Sequence, residues 1–183
     1  MNIDQARIAV ITRLAEKSGH LGRTALMKYC YFLQTLKRVP LGYSFSLYSY
    51  GPFDSDVLSD LDTAEALGAV KTHVVYYPGG YGYQIESGQK AEAAKRWGSE
   101  FLETYGDRID WVFAQFGILN AAQLELASTI VYSDREAAKR FEKLSVEELA
   151  QRVHEVKPHF PLSQIVNLTT DLRGRKLLTS IWS

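Results

Sequence analysis

The residues whose chemistry could drive a reaction are few and widely separated in this chain. Cys30, the only cysteine, lies between Leu26 and Leu33 on the apolar side of a helical pattern, where a thiol is normally buried and unreactive. The four histidines are His20, His73, His154 and His159. None of them forms the H-x-x-x-H or H-E-x-x-H spacing of a zinc site. The spacing predicts no catalytic residue, no metal site and no cofactor.

A series of acidic residues begins at Asp54 and ends at Glu65, with Asp56, Asp60 and Asp62 between them. The series lacks the glycine and the terminal glutamate of a calcium-binding loop. Its first two carboxylates instead fall in the first turn of a predicted helix, where they would cap free N–H groups. Because that helix contains no Lys or Arg, it would repel phosphates, and nucleic-acid binding is disfavoured although an isolated basic patch elsewhere would permit it.

The tyrosines are concentrated in one part of the chain. Nine of the eleven fall between Tyr29 and Tyr83. Tyr48 and Tyr50 lie on the polar side of a predicted strand, and Tyr76, Tyr77, Tyr81 and Tyr83 lie on a predicted hairpin. Tyrosine is enriched in protein interfaces because it offers a large rigid apolar area with a polar end. The same residues could instead pack two lobes together, and the sequence favours neither interpretation.

The elements that position these residues alternate between helical and extended patterns. Predicted helices cover 3–17, 23–37, 54–67, 88–105, 108–116, 121–132, a segment capped by Ser145 and Glu148, and 161–172. Predicted strands cover 43–50, 70–77 and 81–85. The fold class is therefore mainly α (α+β). We expect a single domain, 1–183, with a winged-helix-like lobe at 1–87 that contains a short strand and a β-hairpin, and a helical lobe at 88–183.

Composition restricts the classes of partner. The 183 residues carry 21 basic and 21 acidic side chains, so no overall field draws the chain to nucleic acid or to an anionic membrane. The sequence has no apolar run of about 18 residues and no signal-peptide pattern at its start. These features predict a cytoplasmic protein without a membrane partner. The sequence indicates no oligomeric state.

Several segments resemble a known group of proteins. They are Lys28–Gln34 (KYCYFLQ), Tyr43–Asp54 (YSFSLYSYGPFD), Leu58–Leu61, Gly68–Val70, Leu124–Tyr132 (LELASTIVY) and Val156–Phe160 (VKPHF). The first four are similar to the core of YwgA-like proteins and of the wider Panacea (SocA/GepA-like) antitoxin group. The last two resemble the C-terminal half of YwgA-like proteins, in the same order along the chain. The resemblance implies a mostly helical prokaryotic domain. In Panacea antitoxins such a domain neutralises a toxin encoded beside it by direct binding.

The resemblance also implies a shared structural and binding centre. Its positions in this chain are Lys28, Tyr31, Gln34, Tyr50, Gly51, Pro52 and Asp54. Gly51 would bend the chain, Pro52 would fix φ at the start of a helix and Asp54 would cap that helix, so the motif could be only architectural. With the exposed tyrosines added, the predicted partner-binding residues are Lys28, Tyr31, Gln34, Tyr48, Tyr50, Asp54, Tyr77 and Tyr81.

These features predict a non-catalytic protein-binding module, an antitoxin or phage-defence-associated protein that sequesters a partner protein, such as a cognate toxin. Two alternatives stay open. One is a winged-helix-like DNA-binding regulator. The other is an enzyme whose dispersed site draws on Lys28, Tyr50, Asp54 and His73.

Overall fold

The structure, a computed structural model, describes residues 2–181 and has a mainly α (α+β) fold, as predicted. Across this range the helices are α1 Ile3–Ser18, α2 Arg23–Lys37, α3 Ser55–Ala66, α4 Ala91–Trp97, α5 Ser99–Phe116, α6 Ala121–Lys139, α7 Val146–Val156 and α8 Leu162–Gly174. The strands are β1 Leu21–Gly22, β2 Ser46–Tyr48, β3 Gly51–Phe53, β4 Val70–Tyr77 and β5 Gly80–Ser87. Within residues 2–181, no helix is both long enough and apolar enough to span a bilayer.

The chain divides into two compact units. Within residues 2–181, the first contains 2–46 and Phe53–Ala121, and the second contains Leu47–Pro52 and 122–181. The lobe boundary expected at residue 88 thus falls inside the first unit. There α1 packs against α3, α4 and α5, because its apolar residues repeat at helical spacing and nearly all are buried. Helix α2 packs against α5 in the same unit.

The sheet of the first unit is antiparallel, with the strand order β1-β5-β4. The predicted hairpin is confirmed, and its register pairs Tyr76 with Tyr81 and Tyr77 with Gly80. Strand β1 was not predicted, since two residues are too few to show an alternating pattern. It pairs Leu21 with Ile85 and completes the small sheet of the first unit.

The prediction of one strand over residues 43–50 was wrong in its bounds. Residues 43–45 are not in a strand, because their contacts are made by side chains: Gln34 hydrogen-bonds both the N–H and the C=O of Tyr43. The strand begins at Ser46 and turns at residues 49–50, and β3 pairs back onto it. Gly51-Pro52 therefore starts the return strand and does not end a longer one.

Two predicted helices in the middle of the chain have different ends from those expected. The helix expected over 88–105 is broken at Gly98, and the break predicted near residue 107 is absent, so that α5 runs through it. A Cβ at residue 98 would lie 2.5 Å from the Cβ of Ala9. Helix α1 can therefore approach this closely only because residue 98 is glycine. Gly98 is both the C-cap of α4 and the N-cap of α5.

The second unit is built on α6, α7 and α8, with α7 packed against α8. The predicted capping box of α7 is confirmed: the Ser145 hydroxyl accepts from the Glu148 N–H, and the Glu148 carboxylate accepts from the Ser145 N–H. The fully buried Asp134 of α6 accepts hydrogen bonds from the backbone N–H and the hydroxyl of both Thr179 and Ser180. This carboxylate fastens the C-terminal segment to α6.

Candidate functional site

The turn between β2 and β3 exposes two tyrosines. Tyr48 is 67% exposed and Tyr50 is 72% exposed, although both belong to a short segment that is held at several points. The turn consists of Ser49 and Tyr50, and it belongs to the second unit. We call Tyr48–Tyr50 the tyrosine turn.

The side chain of Lys157 binds the backbone of the tyrosine turn. Helix α7 ends at Val156 because Pro158 disfavours helical backbone at the residue before it, and Lys157 is the C-cap. Its side chain is only 4% exposed. The ammonium group donates hydrogen bonds to the carbonyl of Ser49 and, at 3.4 Å, to that of Tyr48. Two consecutive carbonyls at the turn are therefore fixed by one buried cation.

Glu125 of α6 neutralises that cation. Its Oε1 lies 2.8 Å from the Lys157 Nζ, and its side chain is 9% exposed. The contact is an ion pair and not an aligned hydrogen bond, so this oxygen has no hydrogen-bond donor among the described residues. A buried charge is costly unless it is paired, and removing one member of such a pair leaves the other uncompensated.

Gly51 fixes the other end of the tyrosine turn. Its φ is +86°, in the region that side chains disfavour. A Cβ here would lie 3.1 Å from the hydroxyl oxygens of Ser128 and Thr129 and 3.3 Å from the Glu125 carbonyl. Both hydroxyls donate to that same carbonyl. The backbone of the turn thus rests directly on α6.

A shallow depression lies beside the turn. Its walls are formed by Leu47, Tyr48, Ser49, Val156, Lys157 and His159. The exposed His159 ring packs on Phe160, and its Nε2 is 3.6 Å from Glu125 Oε1. Since the buried lysine is already neutralised by a carboxylate, the depression has no strong excess charge to select an ionic ligand. Among the described residues no group of three His, Cys, Asp or Glu side chains could hold a metal ion.

Neither the protein-family models nor the curated proteins include a match to this chain.

The predicted binding residues of α2 lie inside the first unit. Lys28 and Tyr31 are buried, which places both side chains in the core. Gln34 holds the backbone of Tyr43 through two hydrogen bonds. Asp54 is the N-cap of α3, as predicted: one oxygen accepts from the Asp56 N–H, and the other accepts from the Ser44 N–H. Gln34 and Asp54 therefore fix the backbone of two consecutive residues, Tyr43 and Ser44.

A partly buried polar cluster fixes the residues just before Tyr43. Arg7 donates to the carbonyls of Leu41 and Gly42 at 2.7 and 2.9 Å. Its guanidinium lies 3.4 Å from Asp60 and 4.2 Å from the centre of the Tyr43 ring. The Tyr43 hydroxyl donates to Asp60 at 2.9 Å. Two later acids of the series from Asp54 to Glu65 therefore make specific contacts: Asp60 binds Arg7 and Tyr43, and Glu65 accepts from the Thr72 N–H.

The electrostatics of this cluster are those of a buried site. Burial raises the pKa of the Cys30 thiol to about 12, and the nearby charge of Asp60 adds to the rise. Burial, followed by the charges of Cys30 and Asp60, raises the pKa of Tyr43. Burial also raises the pKa of Asp60, against the opposing effects of the Tyr43 hydrogen bond and Arg7. Such a thiol is a poor nucleophile at neutral pH.

The other two predicted residues, Tyr77 and Tyr81, are exposed on the β4–β5 hairpin. Tyr76 and Tyr81 face each other across the two strands, with ring centres 6.4 Å apart, and Tyr83 continues the row at 5.9 Å from Tyr81. The guanidinium of Arg23 lies 3.6 Å above the Tyr83 ring. On the opposite side of the hairpin, His73 lies 3.5 Å from Glu86.

Sequence reasoning missed Glu125 and Lys157 as the supports of the tyrosine turn. A signal was present, because Glu125 is the only charged residue in the apolar run 124–131 and has Ser128 and Thr129 at helical spacing. Lys157 stands between a helix end and a proline. Both residues lie in segments that carry the family resemblance, but nothing in their spacing shows that they meet.

Proposed function

We propose that this chain is a non-catalytic protein-binding module that captures a partner protein with the tyrosine turn. The observation that carries the proposal is that two exposed tyrosine side chains extend from a backbone that buried groups hold in place. Tyr48 and Tyr50 are exposed, whereas the backbone that holds them is fixed by the buried Lys157–Glu125 pair.

Such a turn suits binding for two physical reasons. A tyrosine adds a large contact area while losing little conformational entropy, and aromatic residues dominate the binding energy of many interfaces. A turn that is rigid before binding avoids the entropy cost of ordering a loop. The depression beside Tyr48 would admit one partner side chain next to the two rings.

The resemblance to the Panacea group specifies the class of partner. A toxin encoded by an adjacent gene would be neutralised by direct binding, and the protein would work in the cytoplasm, where that toxin is made. In support, the segment that resembles the Panacea group supplies the turn itself, and the segments that resemble YwgA-like proteins supply Glu125 and Lys157. The acidic α3 lacks Lys and Arg, which disfavours the alternative of a DNA-binding regulator.

Co-expression with the product of the adjacent gene tests this function. We expect the neighbour to arrest growth alone, growth to recover when this chain is present, and the two proteins to co-purify in a fixed ratio. The Tyr48→Ser/Tyr50→Ser variant should lose both rescue and co-purification while keeping the unfolding temperature of the wild type. A neighbour that is harmless and does not co-purify would contradict the antitoxin proposal.

A further inference from the structure

The outer edge of β4 has an open stretch of backbone that is limited at both ends. Tyr77 and Gly80 close the hairpin around two residues, so they form a hydrogen-bonded pair. Odd-numbered residues of β4 therefore point their N–H and C=O groups towards β5. Even-numbered residues point theirs away from the sheet, and Thr72 confirms this, because its N–H donates to Glu65 at 2.7 Å.

Glu65 closes one end of this edge, and Pro78, which has no N–H, closes the other. Between them lie the outward N–H and C=O groups of Val74 and Tyr76. Strand β4 pairs only with β5 among residues 2–181, so these groups have no backbone partner there. The open edge is thus three residues long and centred on Val75.

The side chains on this edge are apolar as well. Thr72 faces the buried Ile85, and the same face continues outward through Val74 to Tyr76, which is 81% exposed. A long edge strand with exposed apolar side chains is a template for pairing with another strand. Natural proteins usually block such an edge with charges, but the stretch between Glu65 and Pro78 has the uncharged residues Val74, Val75 and Tyr76 at its centre.

We infer that this edge pairs with the same edge of a second copy of the chain, antiparallel and about a two-fold axis through Val75. In this register Val74 of each copy faces Tyr76 of the other, and two residues on each chain exchange four hydrogen bonds. The two three-stranded sheets become one sheet of six strands.

Three observations favour a second copy over an unrelated strand. Residues that face each other in an antiparallel pair point to the same side of the sheet, so a two-fold axis between two copies of one strand must pass through a residue. The open edge is centred on such a residue, Val75. The register opposes Lys71, the only cationic side chain of β4 besides His73, with Gly79, so like charges do not meet. A longer foreign strand would run into the Glu65 carboxylate or past the turn at Pro78. The inference is independent of the proposed function.

Sedimentation velocity of the full chain tests the pairing. A standard interface buries about 800 Å² on each partner, and pairing of this short edge would bury less. We therefore expect a weak dimer with a dissociation constant on the order of 100 µM. The wild type should shift from monomer to dimer between about 10 and 1,000 µM. A chain that stays monomeric over this range overturns the inference, and one that instead binds an extended peptide of another protein assigns the edge to a foreign strand.

Charged variants test the register. Val74→Lys/Tyr76→Lys and Val74→Glu/Tyr76→Glu each place like charges across the two-fold axis, so each should remain monomeric alone. An equimolar mixture should form a heterodimer, because every facing pair is then opposite in charge. Self-association of either variant at wild-type strength, or a mixture that stays monomeric, would contradict the register.

A cysteine provides a second measurement that leaves the exposed face unchanged. Val75→Cys places two thiols opposite each other at the axis, at a non-hydrogen-bonded position where Cβ atoms are close enough for a disulfide. Mild oxidation should give a cross-linked dimer. Val74→Cys is the matched control, since its thiol faces Tyr76 of the other copy and should cross-link much less. Equal cross-linking of the two variants would overturn the two-fold axis at Val75.

Discussion

Each of the two units contains a loop that is held by one cation and one carboxylate. In the first unit Arg7 donates to the carbonyls of Leu41 and Gly42 and is neutralised by Asp60. In the second unit Lys157 donates to the carbonyls of Tyr48 and Ser49 and is neutralised by Glu125. In both cases a side chain replaces the backbone partner that a short loop lacks.

The two loops differ in where they direct their tyrosines. The ring of Tyr43 lies against Arg7, and its hydroxyl bonds to Asp60, so this residue completes a core. Tyr48 and Tyr50 are largely exposed. A cation–carboxylate pair therefore fixes a loop whose tyrosine is packed in the first unit, and a loop whose tyrosines are exposed in the second.

Breaking the cation–carboxylate pair of the second unit should have the largest effect. Lys157→Met keeps most of the side-chain volume but leaves the buried Glu125 with only the exposed His159, 3.6 Å away, and we expect a loss of about 3–5 kcal/mol in the free energy of unfolding. The double variant Lys157→Met/Glu125→Leu removes the unpaired charge and should recover much of that loss. Urea unfolding measures both. A loss below about 1 kcal/mol in the single variant would show that the pair does not hold the turn.

The contact between the tyrosine turn and α6 should be the next most sensitive feature. Gly51→Ala combines an unfavourable φ with a Cβ 3.1 Å from two hydroxyl oxygens, and it should destabilise the protein by about 2–4 kcal/mol. Gly79→Ala is the control, because its φ of +95° is also unfavourable but no atom lies within 4 Å of the added Cβ. If the two variants lose equal stability in thermal unfolding, the close contact at Gly51 has no energetic role.

Removing single hydroxyl groups should separate the two loops directly. Tyr43→Phe leaves the half-buried Asp60 without one donor and should cost about 1–2 kcal/mol. Tyr50→Phe changes an exposed side chain and should stay within about 0.5 kcal/mol of the wild type. If chemical unfolding shows equal losses of stability in the two variants, the tyrosines of the two loops do not differ in their contribution to packing.

The smallest effect concerns Cys30, beside the Arg7–Asp60 cluster. Its raised pKa, about 12, means that almost no thiolate exists in the folded protein at about pH 8. We expect no reaction of the native thiol with a chromogenic disulfide reagent over an hour, and one equivalent after unfolding in guanidinium chloride. Rapid reaction of the native protein would show that the cluster is open to water.

The sequence predicted the elements that follow from local patterns and failed where side chains set the structure. Helices α1 and α2, the hairpin, the cap at Asp54 and the capping box of α7 could be predicted because spacing and cap residues act over a few positions. The extent of the strand at 43–50 could not be predicted, since it depends on hydrogen bonds from the Gln34 side chain of α2 to the backbone of Tyr43. The supports of the tyrosine turn could not either, because Glu125 and Lys157 meet only in the folded chain.

The affinity of tyrosine variants for the product of the adjacent gene tests the central claim most directly. In isothermal titration Tyr48→Ser/Tyr50→Ser should bind about 100-fold more weakly than the wild type, with an unchanged unfolding temperature. The matched variant Tyr76→Ser/Tyr81→Ser, which removes two exposed tyrosines of the hairpin, should bind as the wild type does. Wild-type affinity in the first variant, or an equal loss in both, would contradict the assignment of partner binding to the tyrosine turn.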